Sequence, residues 1–256
     1  MLITLDVGNT HTEAAIFKGR EICERFEMKT TDVQSGAIGA APLVDWLAAK
    51  RAAGLEVKSA VVASVVPAVT PLLGLTLSRT CNLETLVVSS DVKLNVTLGM
   101  DSKCTLGMDR MVNAMAAREY YKLPALVIDL GTASTFDFIN SEGCFEGGAI
   151  APGMQMGLDA LAARTAKLPA LKIKWPESVV GTNTEKAMLS GSVLGYMALV
   201  DGMVEAFERE KGPVESVIGT GGLGQFALSH SSRMAVFDAD ITFKGLQLVA
   251  ELNGLI

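Results

Sequence analysis

The sequence predicts an α/β protein of two similar lobes, each a mixed sheet with helices against it. One observation is a repeat. Asp6-Val7-Gly8-Asn9-Thr10 closes an apolar run at the start of the chain, and Asp129-Leu130-Gly131-Thr132-Ala133-Ser134-Thr135 closes another near its middle. In each copy a strand-like entry (Leu2 to Leu5; Leu126 to Ile128) meets an acid, a glycine and small hydroxyl residues. A second apolar run (Ala14 to Phe17; Phe136 to Ile139) and a glycine turn (Lys18-Gly19; Glu142-Gly143) follow. That spacing reads as a duplicated β-hairpin. The other observation is size: 256 residues, 49% of them apolar, can bury a large core split over two lobes. No linker or low-complexity segment separates the halves, taken as 1–118 and 119–256, so they are expected to pack around a cleft.

In chain order, strands are expected at Leu2 to Leu5, Ala14 to Phe17, Ile22 to Glu27, Ala60 to Ser64 and Leu86 to Ser89, with a helix around Pro42 to Ala53. Ser59 to Ser78 is uncharged, but Pro67, Pro71 and Gly74 break it into a buried strand, a loop and a helix rather than a membrane span. From Met108 a helix is expected, because Met108, Met111, Val112, Met115 and Ala116 follow the i, i+3, i+4 rule. The second half repeats the order. Strands fall at Leu126 to Ile128, Phe136 to Ile139, Phe145 to Ile150, Val214 to Ile218 and Ala235 to Phe237. Helices fall near Met154 to Ala166, Thr184 to Glu210, after Gly222 and up to Leu252. Ala187 to Val200 is uncharged but too short to span a bilayer. Gly191 and Gly195, one turn apart, suit a helix packed on another helix, such as one across a subunit interface.

The repeated hairpins suggest phosphate binding. Glycine lets the backbone approach closely, and a tight turn aims several N–H donors at one point, where anionic oxygens fit. Asn9, Thr10, Thr12, Thr132, Ser134 and Thr135 add side-chain donors. Asp6 and Asp129, at the strand ends, could hold a hydrated cation that neutralises the phosphates. Two facing copies would clamp a nucleotide. The plainer reading of D-x-G-N-T is a turn with an Asx cap. A third glycine cluster, Gly219-Thr220-Gly221-Gly222-Leu223-Gly224, follows an apolar strand and precedes a helix, giving a flat surface for a purine or sugar.

Composition narrows the function classes. A net charge of −6 argues against a nucleic-acid surface, which needs a basic face. Cys23, Cys81, Cys104 and Cys144 are widely spaced, with only His11 and His230 as imidazoles, which argues against zinc and for reduced thiols in the cytoplasm. The first residues have no basic segment, and their apolar run ends at Asp6, so no export signal is read.

Asp109 and Arg110 open the helix after Gly107. Asp109 alone complements the helix dipole, but Arg110 in the first turn opposes it. An adjacent acid and guanidinium suit a site that deprotonates a hydroxyl while gripping a carboxylate.

With these motifs together the chain resembles a type III pantothenate kinase of the acetate kinase/Hsp70/actin-like superfamily. The likeness runs through Asp6 to Thr10, Ser64-Val65-Val66-Pro67, Gly107-Met108-Asp109-Arg110, Asp129 to Thr135, Gly147 to Gly153, Ala166-Lys167-Leu168-Pro169, Gly181-Thr182-Asn183-Thr184 and Thr220-Gly221-Gly222. The resemblance implies a duplicated actin-like (ribonuclease H-like) fold with a nucleotide cleft between lobes. It also implies ATP-dependent phosphorylation of pantothenate to 4′-phosphopantothenate, the first step toward coenzyme A. The implied cofactors are ATP, Mg²⁺ and a monovalent cation, K⁺ or NH₄⁺. Asp6, Val7, Gly8, Asn9, Thr10, His11, Thr12 and Glu13 would wrap the ATP phosphates, with Thr132, Gly221 and Gly222 as further nucleotide contacts. Asp109 would accept the hydroxyl proton, Gly107, Met108, Asp109 and Arg110 would hold pantothenate, and Thr184 would touch it. Asp129 would ligate the monovalent cation and Asp6 a metal ion. A homodimer is implied, with no membrane or nucleic-acid partner.

Two features qualify the resemblance. Thr182-x-x-Glu185 has capping-box spacing, which would put Thr184 simply in a helix's first turn. Upstream of G-x-D-R, where the family has a tyrosine and then a proline, this chain has Met100 and Lys103, and Leu98 is the other alignable position. A non-catalytic nucleotide-binding regulatory relative with an altered substrate pocket is the alternative reading, and a sugar or acetate kinase of the superfamily a third.

Overall fold

The computed structural model describes residues 1–33, 37–89, 91–99 and 106–256. The elements in chain order are β1 (Leu2–Val7), β2 (His11–Lys18), β3 (Glu21–Lys29), α1 (Thr30–Val33), α2 (Ala37–Ala52), β4 (Ser59–Ser64), α3 (Thr70–Leu75), β5 (Glu84–Val87), β6 (Thr97–Leu98) and α4 (Met108–Tyr120). They continue with β7 (Ala125–Leu130), β8 (Ala133–Ile139), β9 (Cys144–Pro152), α5 (Met154–Arg164), α6 (Thr184–Leu189), α7 (Gly195–Lys211), β10 (Ser216–Thr220), α8 (Gly224–Leu228), β11 (Val236–Phe237) and α9 (Ile241–Leu252). Wider π-type turns follow α3 at Thr76–Thr80 and join α6 to α7 at Ser190–Leu194.

Two compact units divide the chain: Met1–Tyr120 with Asp240–Ile256, and Tyr121–Ala239. In the first, the sheet runs β3-β2-β1-β4-β5, with β1 antiparallel to β2 and parallel to β4. Central strands β1 and β4 are almost wholly buried because apolar residues occupy both of their faces, whereas β3 at the edge alternates and carries Glu21, Glu24, Arg25 and Glu27. One core cluster joins Ile3, Leu5, Ile16 and Val62 to Leu43, Leu47 and Leu73 from the helices.

The second unit repeats the plan. Its strands run β11-β10-β7-β8-β9, with β7 antiparallel to β8 and parallel to β10, so β8-β7-β10 corresponds to β2-β1-β4. Phe136, Phe138, Leu126 and Ile128 form its core with Val193, Tyr196, Met197, Val200 and Val204.

The uncharged stretch Ala187 to Val200 belongs to a longer continuous helix, Thr184–Lys211, of 28 residues, long and apolar enough by composition to cross a membrane. Its inner face is nonetheless core, and Asp201 accepts hydrogen bonds from Ser231 Oγ (2.5 Å), Ser232 N (3.0 Å) and Ser232 Oγ (2.6 Å). That is the geometry of a helix packed into a globular unit.

The last helix differs from expectation in where it packs. α9 lies on α4, β1 and β4 in the first unit, although the sequence placed it in the second lobe. Its buried residues Ile241, Phe243, Leu246, Leu248 and Val249 need an apolar partner, which the face of β1 and β4 opposite α2 provides. Arg25 pairs with Asp240 (2.6 Å) and Arg20 with Glu251 (2.8 Å), so both ends of α9 are tied to the β2–β3 hairpin.

Candidate active site

The first hairpin is closed from below. Val7 pairs with Thr12, and the Gly8 N–H donates to the His11 carbonyl (3.0 Å). Thr30 Oγ1 donates to the Gly8 carbonyl (2.7 Å), so the Thr12 hydroxyl donates to Thr30 Oγ1 (3.0 Å). The Thr30 N–H meets the Thr10 carbonyl (3.0 Å). These bonds hold the loop and leave Asn9, Thr10 and His11 exposed. Thr12, expected as a nucleotide donor, is instead buried and bonded to Thr30, while Val7 lies in the core. Asp6 is half-buried at the strand end, opposite Glu13. Burial first, and then the charge of Glu27, push the Glu13 carboxyl above its ordinary value.

The second hairpin is the tighter of the two. Leu130 pairs with Ser134, and the Gly131 N–H donates to the Ala133 carbonyl (3.1 Å). Thr132 is exposed at its tip and Asp129 half-buried at its base. Ser134 is buried and bonds the Tyr196 hydroxyl, and Thr135 Oγ1 donates to Asp137 Oδ2 (3.2 Å), so both hydroxyls already have partners within the unit. Sequence reasoning missed Tyr196. On an apolar helix face it gives no local signal, yet burial raises its pKa and the Asp129 charge pushes the same way.

The third glycine cluster abuts this hairpin. Thr220 on β10 stands beside Asp129 on β7 in parallel register, and the Leu223 N–H donates to the Leu130 carbonyl (3.1 Å). Gly221 has φ +80°, and a Cβ there would lie 2.4 Å from Asp129 Oδ1, so no other residue fits. Gly222 is exposed, with open space where a side chain would be.

The α4 N-terminus is joined to the first hairpin. The Val65 N–H, just past β4, donates to the Val7 carbonyl (3.1 Å), and Val65 Cγ1 lies 3.7 Å from where a Gly107 Cβ would be. That same Cβ would lie 2.3 Å from Asp109 Oδ1, so Gly107 gives the carboxylate its space. Asp109 Oδ1 accepts from the Arg110 N–H (2.8 Å). Burial raises the Asp109 pKa above the usual carboxylate value, outweighing the Arg110 N–H and guanidinium, which lower it. Such a group is a better proton acceptor than a solvated aspartate.

Thr184 is exposed in the first turn of α6. The cap is Asn183, whose Oδ1 accepts from the Lys186 N–H (2.8 Å), in place of the capping box expected from Thr182. Met100 and Lys103 lie outside the described residues.

A family model for type III pantothenate kinase matches residues 2–206. The chain belongs to the type III pantothenate kinase family. It is 33% identical to the Finegoldia magna type III pantothenate kinase over 99% of this chain and 98% of that one. With the Streptomyces griseus type III pantothenate kinase it shares 37%, covering 99% and 98%. Among solved structures, a Campylobacter jejuni protein named for the Baf family of transcriptional activators superposes with TM-score 0.63 at 16% identity, covering 99% of this chain and 100% of that chain. The ADPNP-bound activator of 2-hydroxyisocaproyl-CoA dehydratase from Clostridium difficile gives 0.52 at 12%, covering 100% and 97%. These likenesses establish the actin-like fold.

Proposed function

We propose that the chain transfers the γ-phosphoryl group of ATP to the primary hydroxyl of pantothenate, releasing ADP and 4′-phosphopantothenate in the cytoplasm, with Asp109 as general base. The observation that carries the assignment of roles is the juxtaposition of a half-buried carboxylate of raised pKa with the Gly8 hairpin, made through Val65. As the hydroxyl oxygen bonds to the γ-phosphorus, its proton passes to Asp109 and the bond to the ADP oxygen breaks. Arg110 binds the pantothenate carboxylate.

Within the first unit the Gly8 loop, with exposed Asn9 and Thr10, offers donors suited to phosphate; within the second, the Gly131 loop offers exposed Thr132, and Gly221-Gly222 a flat surface suited to adenosine. Among the described residues no group of three or more His, Cys, Asp or Glu is placed to hold a metal. Mg²⁺ binds through one or two carboxylates together with substrate phosphates, and half-buried Asp6 at the end of β1 would be its protein ligand. Bound Mg²⁺ neutralises phosphate charge. Asp129, whose Oδ1 faces Gly221, suits a K⁺ or NH₄⁺ ligand.

The dimer reading rests on the exposed face of the Thr184–Lys211 helix. Ala187, Gly191, Gly195, Ala198, Leu199 and Gly202 line it without a charge, close in sequence to Val179 and Val180, which are 75% and 76% exposed.

The test is a coupled ADP-release assay with ATP, Mg²⁺ and K⁺. ADP release that requires pantothenate supports the reading, whereas ATP binding without pantothenate-dependent turnover contradicts it.

A further inference from the structure

α9 lies beyond the segment that the family model matches, and no role above falls on it. Yet it is the element packed most closely on the helix that carries Asp109. Thr242, in the first turn of α9, donates its hydroxyl to Asn113 Oδ1 (2.8 Å), and both residues are buried. Asn113 stands one turn beyond Asp109 on the same face of α4. Its Nδ2 is buried without a hydrogen-bond partner. Farther along α9, a Cβ on Gly245 would lie 2.1 Å from the Val112 carbonyl oxygen, so the two backbones touch. The Asp240 and Glu251 ion pairs fix both ends of α9. An apolar pair would join two helices without leaving a buried donor unmet, so a polar bond here serves position better than stability.

We propose that Thr242 and Gly245 are positioning residues, bracing α4 so that the Asp109 carboxylate is held where the substrate hydroxyl proton is delivered. The proposal rests on the reading of Asp109 as base. Within the described residues, the charged group acting on Asp109 is Arg110 of its own helix; Val65 and Thr242, which reach the Asp109 half of α4, are neutral, while the charges reaching α4 from other elements, Arg20 on Glu119 and Lys244 over Tyr120, lie at its far end.

The experiment compares full-length Thr242→Val, Thr242→Ser and Asp109→Asn. It reads kcat, both KM values, ATP affinity by calorimetry, and the acid limb of kcat against pH. Thr242→Val keeps the side-chain shape and loses the hydroxyl. Its kcat is expected to fall about 5- to 50-fold, with ATP affinity and both KM values within about twofold. The acid limb is expected to move to lower pH, as a loosened helix end hydrates Asp109. Thr242→Ser restores both values, and Gly245→Ala shares the signature of Thr242→Val. Should Thr242→Val not fold, Thr242→Ala is read in the same way. If Thr242→Val keeps wild-type kcat and acid limb while Asp109→Asn is inactive, the bracing role is wrong and the base stands. Loss of ATP binding in step with kcat, unrescued by serine, marks a merely structural contact and also overturns it. Full activity in Asp109→Asn removes the base and the bracing role together.

Discussion

At the scale of single residues, the environment of Asp109, the proposed base, sets a cost in stability. Burial raises its pKa, so the native state binds its proton more tightly than the unfolded chain does. The sign follows: ionised Asp109 destabilises the fold at neutral pH, and that cost is relieved as pH falls through the raised native value. Asp109→Asn, neutral at every pH, is therefore expected to raise Tm at pH 7 and to narrow the gap to wild type in acid, as calorimetry at the two pH values would show. A Tm unchanged or lowered at pH 7 would mean that the carboxylate is better solvated than its surroundings indicate. Asp129 offers a second residue-level test. If its carboxylate holds a monovalent cation, Asp129→Asn flattens the dependence of rate on K⁺, read by titrating activity against the salt; an unchanged titration would leave Asp129 with only a backbone neighbour's role.

Single hydroxyls were the least legible part of the site. Thr12, Ser134 and Thr135 share the composition of phosphate-binding turns, but alternation along β2 and β8 turns two of them into the core and Asp137 engages the third. The placement of Gly8, Thr132, Asp129 and Gly221 at turns and strand ends was readable, because an acid and a glycine closing an apolar run mark where the strand stops.

Among elements, the hairpins and central strands could be read because short apolar runs bounded by glycine turns suit buried strands, and the pattern occurs twice. The structure extends those strands by a few residues and adds the short β6, whose Thr97–Leu98 carries no such run. The π-type turns at Thr76–Thr80 and Ser190–Leu194 were not legible, since they answer to packing rather than to a local signal. The contact between β10 and the second hairpin is a tight element-level constraint in the second unit. Gly221→Ala forces a Cβ into Asp129 Oδ1 and strains a positive φ. About 1–3 kcal/mol of backbone strain is expected to appear as a lower Tm together with a raised KM for ATP and an unchanged KM for pantothenate. Wild-type kinetics in that variant would show that Gly221 does not shape the adenosine seat.

For the whole molecule, duplication is what makes a 256-residue chain interpretable: one hairpin–sheet plan, used twice, accounts for both Asp-x-Gly loops. The return of α9 to the first unit was hidden because its apolar pattern shows that a face is buried and not which sheet buries it. The bare face of the Thr184–Lys211 helix predicts self-association, so sedimentation is expected to give a dimer and Gly195→Glu a monomer, whereas a monomeric wild type would leave that face to another partner. The central claim is that this molecule moves a phosphoryl group from ATP to pantothenate by way of Asp109. Its most direct measurement follows label from γ-phosphate into 4′-phosphopantothenate, with wild type and Asp109→Asn side by side and ATP binding checked in both. Wild type should form labelled product, and the variant should bind ATP equally but form product about 10²- to 10⁴-fold more slowly; labelled product at the wild-type rate from Asp109→Asn would contradict the account.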